Sequence, residues 1–390
     1  MPPPPGRGNR GAMLDAVRLT RAPMAAFAAM GVGWGAFAAF LPEIKRGLGA
    51  GDGAFGFALL FSAGGLVLAM WLAPVADRRL GPWALPVASG SLSLAFLLVG
   101  LAPSLAAFAA VMALLGLTSG ITDIVMNTRV SEVEGREGRS FMNVNHAAFS
   151  LAYAASALAT GAAREAGIGP VPHFAMLAAV TVAGTALMRM RADEVVTAPT
   201  GAGPFPSAMV FWGGAIVMVA FFSENASEAW SALHIERTLG GGAADGAMGP
   251  AMLGLTMGIG RLSGQLAADR LPEPLVLRWA ALLAGVGATG AAVSTAPWMA
   301  QGCFAVMGLG ISVMAPMALA LVGRGVGPGR RSRAIARVAV VGYMGFLLAP
   351  PVMGGVSELL GLRASFLAVA LLLMTVPLLL QQLERRAVPA

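Results

Sequence analysis

Long apolar stretches recur along the whole chain, about every thirty residues, and most of them are near twenty residues long. A helix of about twenty residues crosses roughly 30 Å of hydrocarbon, so each stretch predicts a membrane-spanning helix. Stretches such as 366–374 are apolar on every side, unlike the alternating strands of a membrane barrel. The sequence therefore predicts an all-α membrane protein with twelve transmembrane helices.

Composition and charge agree with that class. Charged residues make up 12% of the chain, against about 25% in a typical soluble domain. Most arginines fall in the connections of one side, and basic residues near short loops are retained in the cytoplasm. This asymmetry predicts a multi-pass protein of the bacterial inner membrane with both termini cytoplasmic. It also accounts for the net charge of +7, so the lipid bilayer, and no nucleic acid, is the expected partner of the arginines.

An internal repeat divides the chain into two related halves. Residues 52–60 match residues 245–253 at six of nine positions, and Ala76-Asp77-Arg78 corresponds to Ala268-Asp269-Arg270 at nearly the same offset. Two matches in register at corresponding places predict two pseudo-symmetric six-helix bundles. The predicted units are a disordered cytoplasmic tail over 1–20, an N-terminal bundle over 21–190, a cytoplasmic linker over 191–207, a C-terminal bundle over 208–383 and a tail over 384–390.

The repeated Asp-Arg pairs resemble the cytoplasmic loop motif of the major facilitator superfamily. That resemblance implies the major facilitator fold, with two six-helix halves around a central cavity, and a monomer without cofactors. An acid and an arginine at a helix end can pair across a turn and hold one state of a rocking bundle closed, or they can simply set topology. The residues predicted to gate the cytoplasmic side are Asp77, Arg78, Asp269, Arg270 and Arg261.

A finer resemblance involves residues 120–127 with 139–150, and residues 224–231 with 260–270. These segments resemble the fucose/proton symporter branch and its YbjJ-like relatives. The resemblance implies that Asp123 takes part in proton coupling. The branch's other key acid would fall near Ala38, which is not acidic.

Asp123 is also a candidate from the residues alone. It lies inside an apolar stretch with Asn127 one turn later, and a charge facing lipid would cost at least about 2.5 kcal/mol. It should therefore face a cavity or a partner. If the fourth and fifth spans pack together, Asp123 and His146 could meet as a proton relay. The alternative is a structural hydrogen-bonded cluster of Asp123, Asn127, Asn143 and His146.

Further candidates lie in other predicted spans. Glu224 and Glu228 are four residues apart on one helix face, where they could bind a proton or a cationic or hydroxylated solute. Glu228 could instead be solvated at the outer end. Arg261 could pair with an acid, hold an anionic substrate or be a structural charge. Trp34 and Tyr343 are cavity aromatics or packing and head-group anchors.

Three functions are compatible with these features. The first is proton-coupled secondary transport of a small polar solute, such as a sugar or related metabolite, by alternating access. The second is a proton-antiporting exporter of amphipathic drugs or metabolites, which predicts a more apolar cavity. The third is a membrane enzyme using His146 and Asp123, which lack a further catalytic group at a fixed spacing. The leading prediction is a transporter, not an enzyme, with no metal.

Overall fold

A computed structural model describes residues 9–191, 207–268, 271–326 and 328–385, and all its regular structure over these ranges is helical. Short 3-10 turns at Gly81–Trp83 and Thr185–Met188 and a π-helical turn at His234–Thr238 extend three of the helices. The helices are α1 (Asn9–Leu19), α2 (Arg21–Gly47), α3 (Asp52–Leu80), α4 (Ala84–Gly100), α5 (Leu105–Glu137), α6 (Met142–Glu165), α7 (Pro170–Gly184), α8 (Ser207–Leu233), α9 (Ala243–Ala268), α10 (Glu273–Val293), α11 (Pro297–Gly325), α12 (Pro328–Met374) and α13 (Val376–Glu384).

The prediction of a multi-pass, all-helical protein is confirmed over the described residues. Eight helical segments there are long and apolar enough to cross a membrane. Two of them, Asp52–Gly100 with 49 residues and Arg333–Glu384 with 52, are long enough for two crossings each. The second contains Gly361, whose φ of 82° interrupts the helix. The count of twelve crossings remains a prediction.

Each half is built from the same arrangement of neighbouring helices. In the N-terminal half α2 packs on α6 and α3 on α5, and in the C-terminal half α8 packs on α12 and α9 on α11. The two halves meet mainly where α6 packs on α9 and where α3 packs on α12. These two contacts are related by the internal repeat, since α3 and α9 carry its two copies at their first turns.

The bundle has two ends that are used below. We call the end at which α2 begins and α3 ends the proximal end, and the end at which α2 ends and α3 begins the distal end. The sequence predicts a disordered tail over 1–20, but Asn9–Leu19 is a helix. Ala16 is buried, and the Thr20 hydroxyl accepts a hydrogen bond from the Asn145 amide at 3.2 Å, which attaches this segment to α6. Most of the predicted linker over 191–207 lies outside the described residues.

Candidate functional site

A small cavity of about 40 Å³ lies between the two halves. Space of this size holds roughly three water molecules, so it is smaller than a sugar molecule. Both halves contribute to its wall. The lining residues are Trp34, Phe37, Ala38, Leu41, Leu59, Ser62, Met112, Tyr153, Asn225, Glu228, Ala229 and Pro350.

Aromatic side chains form one wall of this cavity. The Trp34 indole N–H donates to Ser119 Oγ at 3.1 Å. Its ring meets Phe37 and Phe96 edge to face, with centroids 5.5 and 5.4 Å apart. These contacts fix the ring orientation. Of the two predicted cavity aromatics, the structure therefore places Trp34 at the cavity.

Arg261 joins the two halves beside the cavity. Its Nη1 donates to Ser150 Oγ of α6 at 2.5 Å, and its Nη2 donates to Glu224 Oε1 of α8 at 3.1 Å. Arg261 was predicted to gate the cytoplasmic side. The structure places it partly buried on α9 between the two halves, and its role in gating stays a prediction. Of the alternatives for this residue, the structure shows pairing with an acid. Glu228 lines the cavity one turn along α8 from Glu224.

Asp123 lies outside the cavity lining, half-buried on α5. Asn127 Nδ2 donates to Asp123 Oδ1 at 2.9 Å and to the Asp123 carbonyl oxygen at 2.8 Å. Asp123 is close enough to Tyr343, on α12 of the other half, for an electrostatic interaction. The Tyr343 ring stacks on Phe221 with centroids 5.8 Å apart. Asp123 thus faces the C-terminal half.

His146 lies in a different environment from Asp123. Its ring meets Phe27 edge to face at 4.9 Å, and it lies within electrostatic range of Arg261. The reason is that α6 packs along α2 and α9, whereas α5 packs along α3 and α4. The predicted meeting of Asp123 and His146 is wrong in this conformation. The structure keeps the Asp123–Asn127 part of the alternative cluster, and Asn143 lies in the first turn of α6.

The proximal Asp-Arg motif is arranged differently from its prediction. Asp77 pairs with Arg129 of α5, whose fully buried guanidinium also donates to Glu132 at 3.0 Å. Arg78 is exposed on the last turn of α3. The sequence predicted that Asp77 pairs with an arginine at its own helix end. In the structure it pairs with the buried Arg129 of α5 instead. Asp269 and Arg270 lie outside the described residues.

Two clusters of charged side chains connect the halves at the distal end. The first, which we call the α3 latch, consists of Asp52, Gly53, Arg237, Ser357 and Glu358. Arg237 binds both carboxylate oxygens of Asp52, at 2.6 and 2.5 Å, and the Ser357 hydroxyl donates to the same carboxylate. Glu358 Oε2 accepts a hydrogen bond from the Gly53 N–H at 3.1 Å. This latch ties the start of α3 to α12.

The second cluster, the α9 latch, consists of Arg164, Glu165, Glu236 and Ala244. Arg164 binds both carboxylate oxygens of Glu236, at 2.6 and 3.1 Å, and donates to the Ala39 carbonyl at 2.7 Å. Glu165 Oε1 accepts a hydrogen bond from the Ala244 N–H at 3.3 Å. This latch ties the start of α9 to α6.

Close helix packing lies beneath both latches. A Cβ atom added to Gly354 would lie 2.4 Å from the Asp52 carbonyl oxygen, and one added to Gly161 would lie 2.6 Å from Ala247 Cβ. Helices that approach this closely leave no passage along these contacts. The distal end is therefore closed in this structure.

Sequence reasoning did not single out the latch residues, although two signals were present. Arg164 and Arg237 are basic residues on the side predicted to be poor in them. Glu165 and Glu358 are separated by the same offset of 193 residues that relates Asp52 to Asp245. Extending the repeat to Glu165 of α6 and Glu358 of α12 would have indicated that both residues take part in equivalent contacts.

Comparison with known proteins agrees with this architecture. The family model described as Major Facilitator Superfamily matches residues 215–389. An uncharacterized MFS-type transporter of Yersinia pestis is 29% identical over 359 residues, covering 90% of this chain and 92% of that protein. The more specific resemblance to the fucose/proton symporter branch and its YbjJ-like relatives remains a prediction.

Two solved structures share the fold at low sequence identity. A bacterial homologue of the human lysosomal transporter Spinster has a TM-score of 0.73 and 14% identity, covering 97% of this chain and 98% of its own. The nucleoside transporter NupG has a TM-score of 0.69 and 14% identity, covering 95% and 98%. The family model thus matches the second half of the chain, and the solved structures share its fold over nearly the whole length.

Proposed function

We propose that this protein is a secondary active transporter that moves a small polar solute, such as a sugar or related metabolite, by alternating access and with proton coupling. The observation that carries the proposal is a small cavity between two related halves and lined by both, with charged side chains joining the halves at the distal end. The Yersinia pestis relative is named a transporter and NupG a nucleoside transporter, which supports transport as the general activity.

The dimensions of the site require the halves to move. A cavity of about 40 Å³ cannot admit a sugar until the helices around it separate. Opening the distal end requires both latches to break, since each joins the start of a helix in one half to the other half. The latches therefore stabilise one of the two access states. The solute binds when the halves move from that state to the other.

Asp123 is the proposed coupling group. It is an acid on α5 that faces Tyr343 of the opposite half, so loss or gain of a proton there changes the attraction between the halves. The Glu224–Arg261–Ser150 chain crosses the same interface, and protonation of Glu224 would release Arg261. These groups can link proton binding to movement without a direct Asp123–His146 contact.

Reconstitution in liposomes tests this proposal. Purified protein is placed in vesicles with an internal pH-sensitive dye and no imposed gradient, and sugars, sugar acids and amphipathic cations are added in turn. We expect a solute-dependent pH change from the wild type that is lost in Asp123→Asn and kept in Glu384→Gln. Glu384 pairs with Arg278 on helices of the C-terminal half. Glu384→Gln is therefore the matched control, because it also removes one carboxylate.

Equal signals from the wild type and Asp123→Asn would remove Asp123 from the mechanism. Solute flux without any pH change would contradict proton coupling while leaving transport in place.

A second candidate is the proton-antiporting exporter of amphipathic compounds. Eight of the twelve cavity-lining residues are apolar, which favours a ligand with an apolar surface. This candidate predicts that expression raises the tolerance of cells to such compounds, and that efflux collapses when the proton gradient is dissipated.

We further propose that the protein is a monomer in the bacterial inner membrane with its proximal end, and both termini, in the cytoplasm. The support is the arginine asymmetry between the two sides. A fluorescent protein fused after Ala390 should fluoresce, and a periplasm-dependent phosphatase at the same position should be inactive. The reverse result would invert the orientation.

A further inference from the structure

Two buried hydrogen-bonding atoms of the cavity wall have no hydrogen-bond partner within the described part of the protein. They are Asn225 Oδ1 and the Tyr153 hydroxyl oxygen, and the acid Glu228 lines the same cavity. Tyr153 is 1% exposed. Ser62, the other polar lining residue, donates to the Leu59 carbonyl at 2.8 Å and is satisfied. Because buried polar groups are normally paired, the unpaired set points to a ligand.

The charge at the cavity is negative. Glu228 is the one residue with a charged side chain among the described residues lining the cavity. Arg261 interacts electrostatically with Glu228 but directs its two terminal nitrogens to Glu224 and Ser150. Two acids thus share one arginine, and the three groups together carry a net negative charge when both acids are ionised. A carboxylate in an apolar cavity is costly unless a positive group compensates it.

The number of acceptors distinguishes an amine from a hydroxyl group. A primary ammonium group has three N–H donors, whereas a hydroxyl group has one. The carboxylate, the amide oxygen and the phenol oxygen provide three acceptors around one small volume. The aromatic wall of Trp34 and Phe37 adds a surface that attracts cations and stacks on flat rings. A hydrated metal ion would gain little from such a wall.

We propose that the transported solute is a small organic amine that enters once the halves have separated, whose ammonium group binds Glu228, Asn225 and Tyr153, and whose ring lies against Trp34 and Phe37. This inference rests on the proposed function and names the class of its solute. Glu228 is the specificity-determining residue, because it alone supplies the charge. The neighbouring Glu224 differs from Glu228, because its carboxylate already accepts a hydrogen bond from Arg261.

Matched pairs of ligands test the proposal on the purified full-length protein in detergent. Tyramine is compared with tyrosol, and glucosamine with glucose, at one pH, by isothermal titration and by the shift in unfolding temperature. We expect the amine of at least one pair to bind and its neutral counterpart to bind at least about tenfold more weakly, the usual worth of a charge-assisted hydrogen bond. Glu228→Gln should weaken amine binding by a similar factor, Glu228→Asp should retain part of it, and Glu384→Gln should leave it unchanged.

Variant folding is checked by unfolding temperature and gel filtration without ligand, so a lost binding signal is not confused with lost structure. Equal binding of amine and neutral partner, undiminished binding in Glu228→Gln, or no response to either amine would each overturn the inference. Measurement of flux into vesicles distinguishes the proposed transport function from the proposed amine solute. Amine binding at Glu228 without flux contradicts the transporter, whereas flux of glucose and tyrosol without preference for the amines contradicts only this inference.

Discussion

The two latches at the distal end have the same backbone geometry and opposite buried charges. In each, a glutamate at the end of one helix accepts a hydrogen bond from the second residue of a helix in the other half, Gly53 or Ala244. The buried charge of the α3 latch is an acid, Asp52, with its side chain 6% exposed. The buried charge of the α9 latch is a base, Arg164, with its side chain 4% exposed.

The difference follows the ends of the helices. Asp52 occupies the first turn of α3, where the helix dipole favours a negative charge, and Arg164 occupies the last turn of α6, where it favours a positive one. The contact between helix ends is the same in both halves. The buried charge at this contact can be negative or positive, depending on which end of a helix carries it. Each buried charge has one well-exposed and one largely buried partner: Arg237 (44%) and Lys45 (12%) for Asp52, and Glu43 (35%) and Glu236 (10%) for Arg164. Arg164 also donates to the Ala39 carbonyl, which no other side chain of the described residues would then satisfy. The α9 latch should therefore be the more sensitive to the loss of its buried charge.

The largest expected effect comes from Arg164→Ala. It leaves Glu236 and Glu43 without their shared guanidinium, and removing one partner of a buried ion pair costs about 3–5 kcal/mol. We expect the distal end to open and the unfolding temperature to fall. Electron-resonance distances between labels at Ile168 and Leu359, exposed on opposite halves, should lengthen. An unchanged distance distribution would mean that this latch does not hold the distal end closed.

A smaller effect is expected from Asp52→Asn. The neutral amide keeps the shape of the side chain, and its oxygen can still accept a hydrogen bond from Arg237 or Lys45, so the loss is about 1–3 kcal/mol. The same pair of labels should show partial opening. A change as large as that of Arg164→Ala would contradict the inequality of the two latches.

The smallest effects are expected from Glu358→Ala and Glu165→Ala. Each removes a carboxylate from a helix N-terminus, worth about 0.3–1 kcal/mol. Because the two sites share no partner, their effects on unfolding should add to within about 0.5 kcal/mol. A clear excess in the double variant would show that the latches act as one cooperative unit.

Much of the fold was accessible from the sequence, and less of the candidate site. The apolar stretches indicated a multi-pass helical protein because lipid permits few other structures. The cavity position of Trp34 agrees with one of its two interpretations. Arg261 and Asp77 were single candidates whose partners, Glu224 and Arg129, lie on other helices. Local spacing cannot choose among helices, so those pairings had no signature in the sequence.

The sequence by itself determined the solvent, the helical class and the division into related halves, because hydropathy and repetition are properties of the chain. Tertiary structure alone decided which polar groups meet. It separated His146 from Asp123, since α6 packs against α2 and α9. It placed Glu228 at the cavity, while Glu224, one turn away, accepts the hydrogen bond from Arg261. Pairing among buried charges depends on how helices rotate and cross, and that is fixed only when all of them pack together.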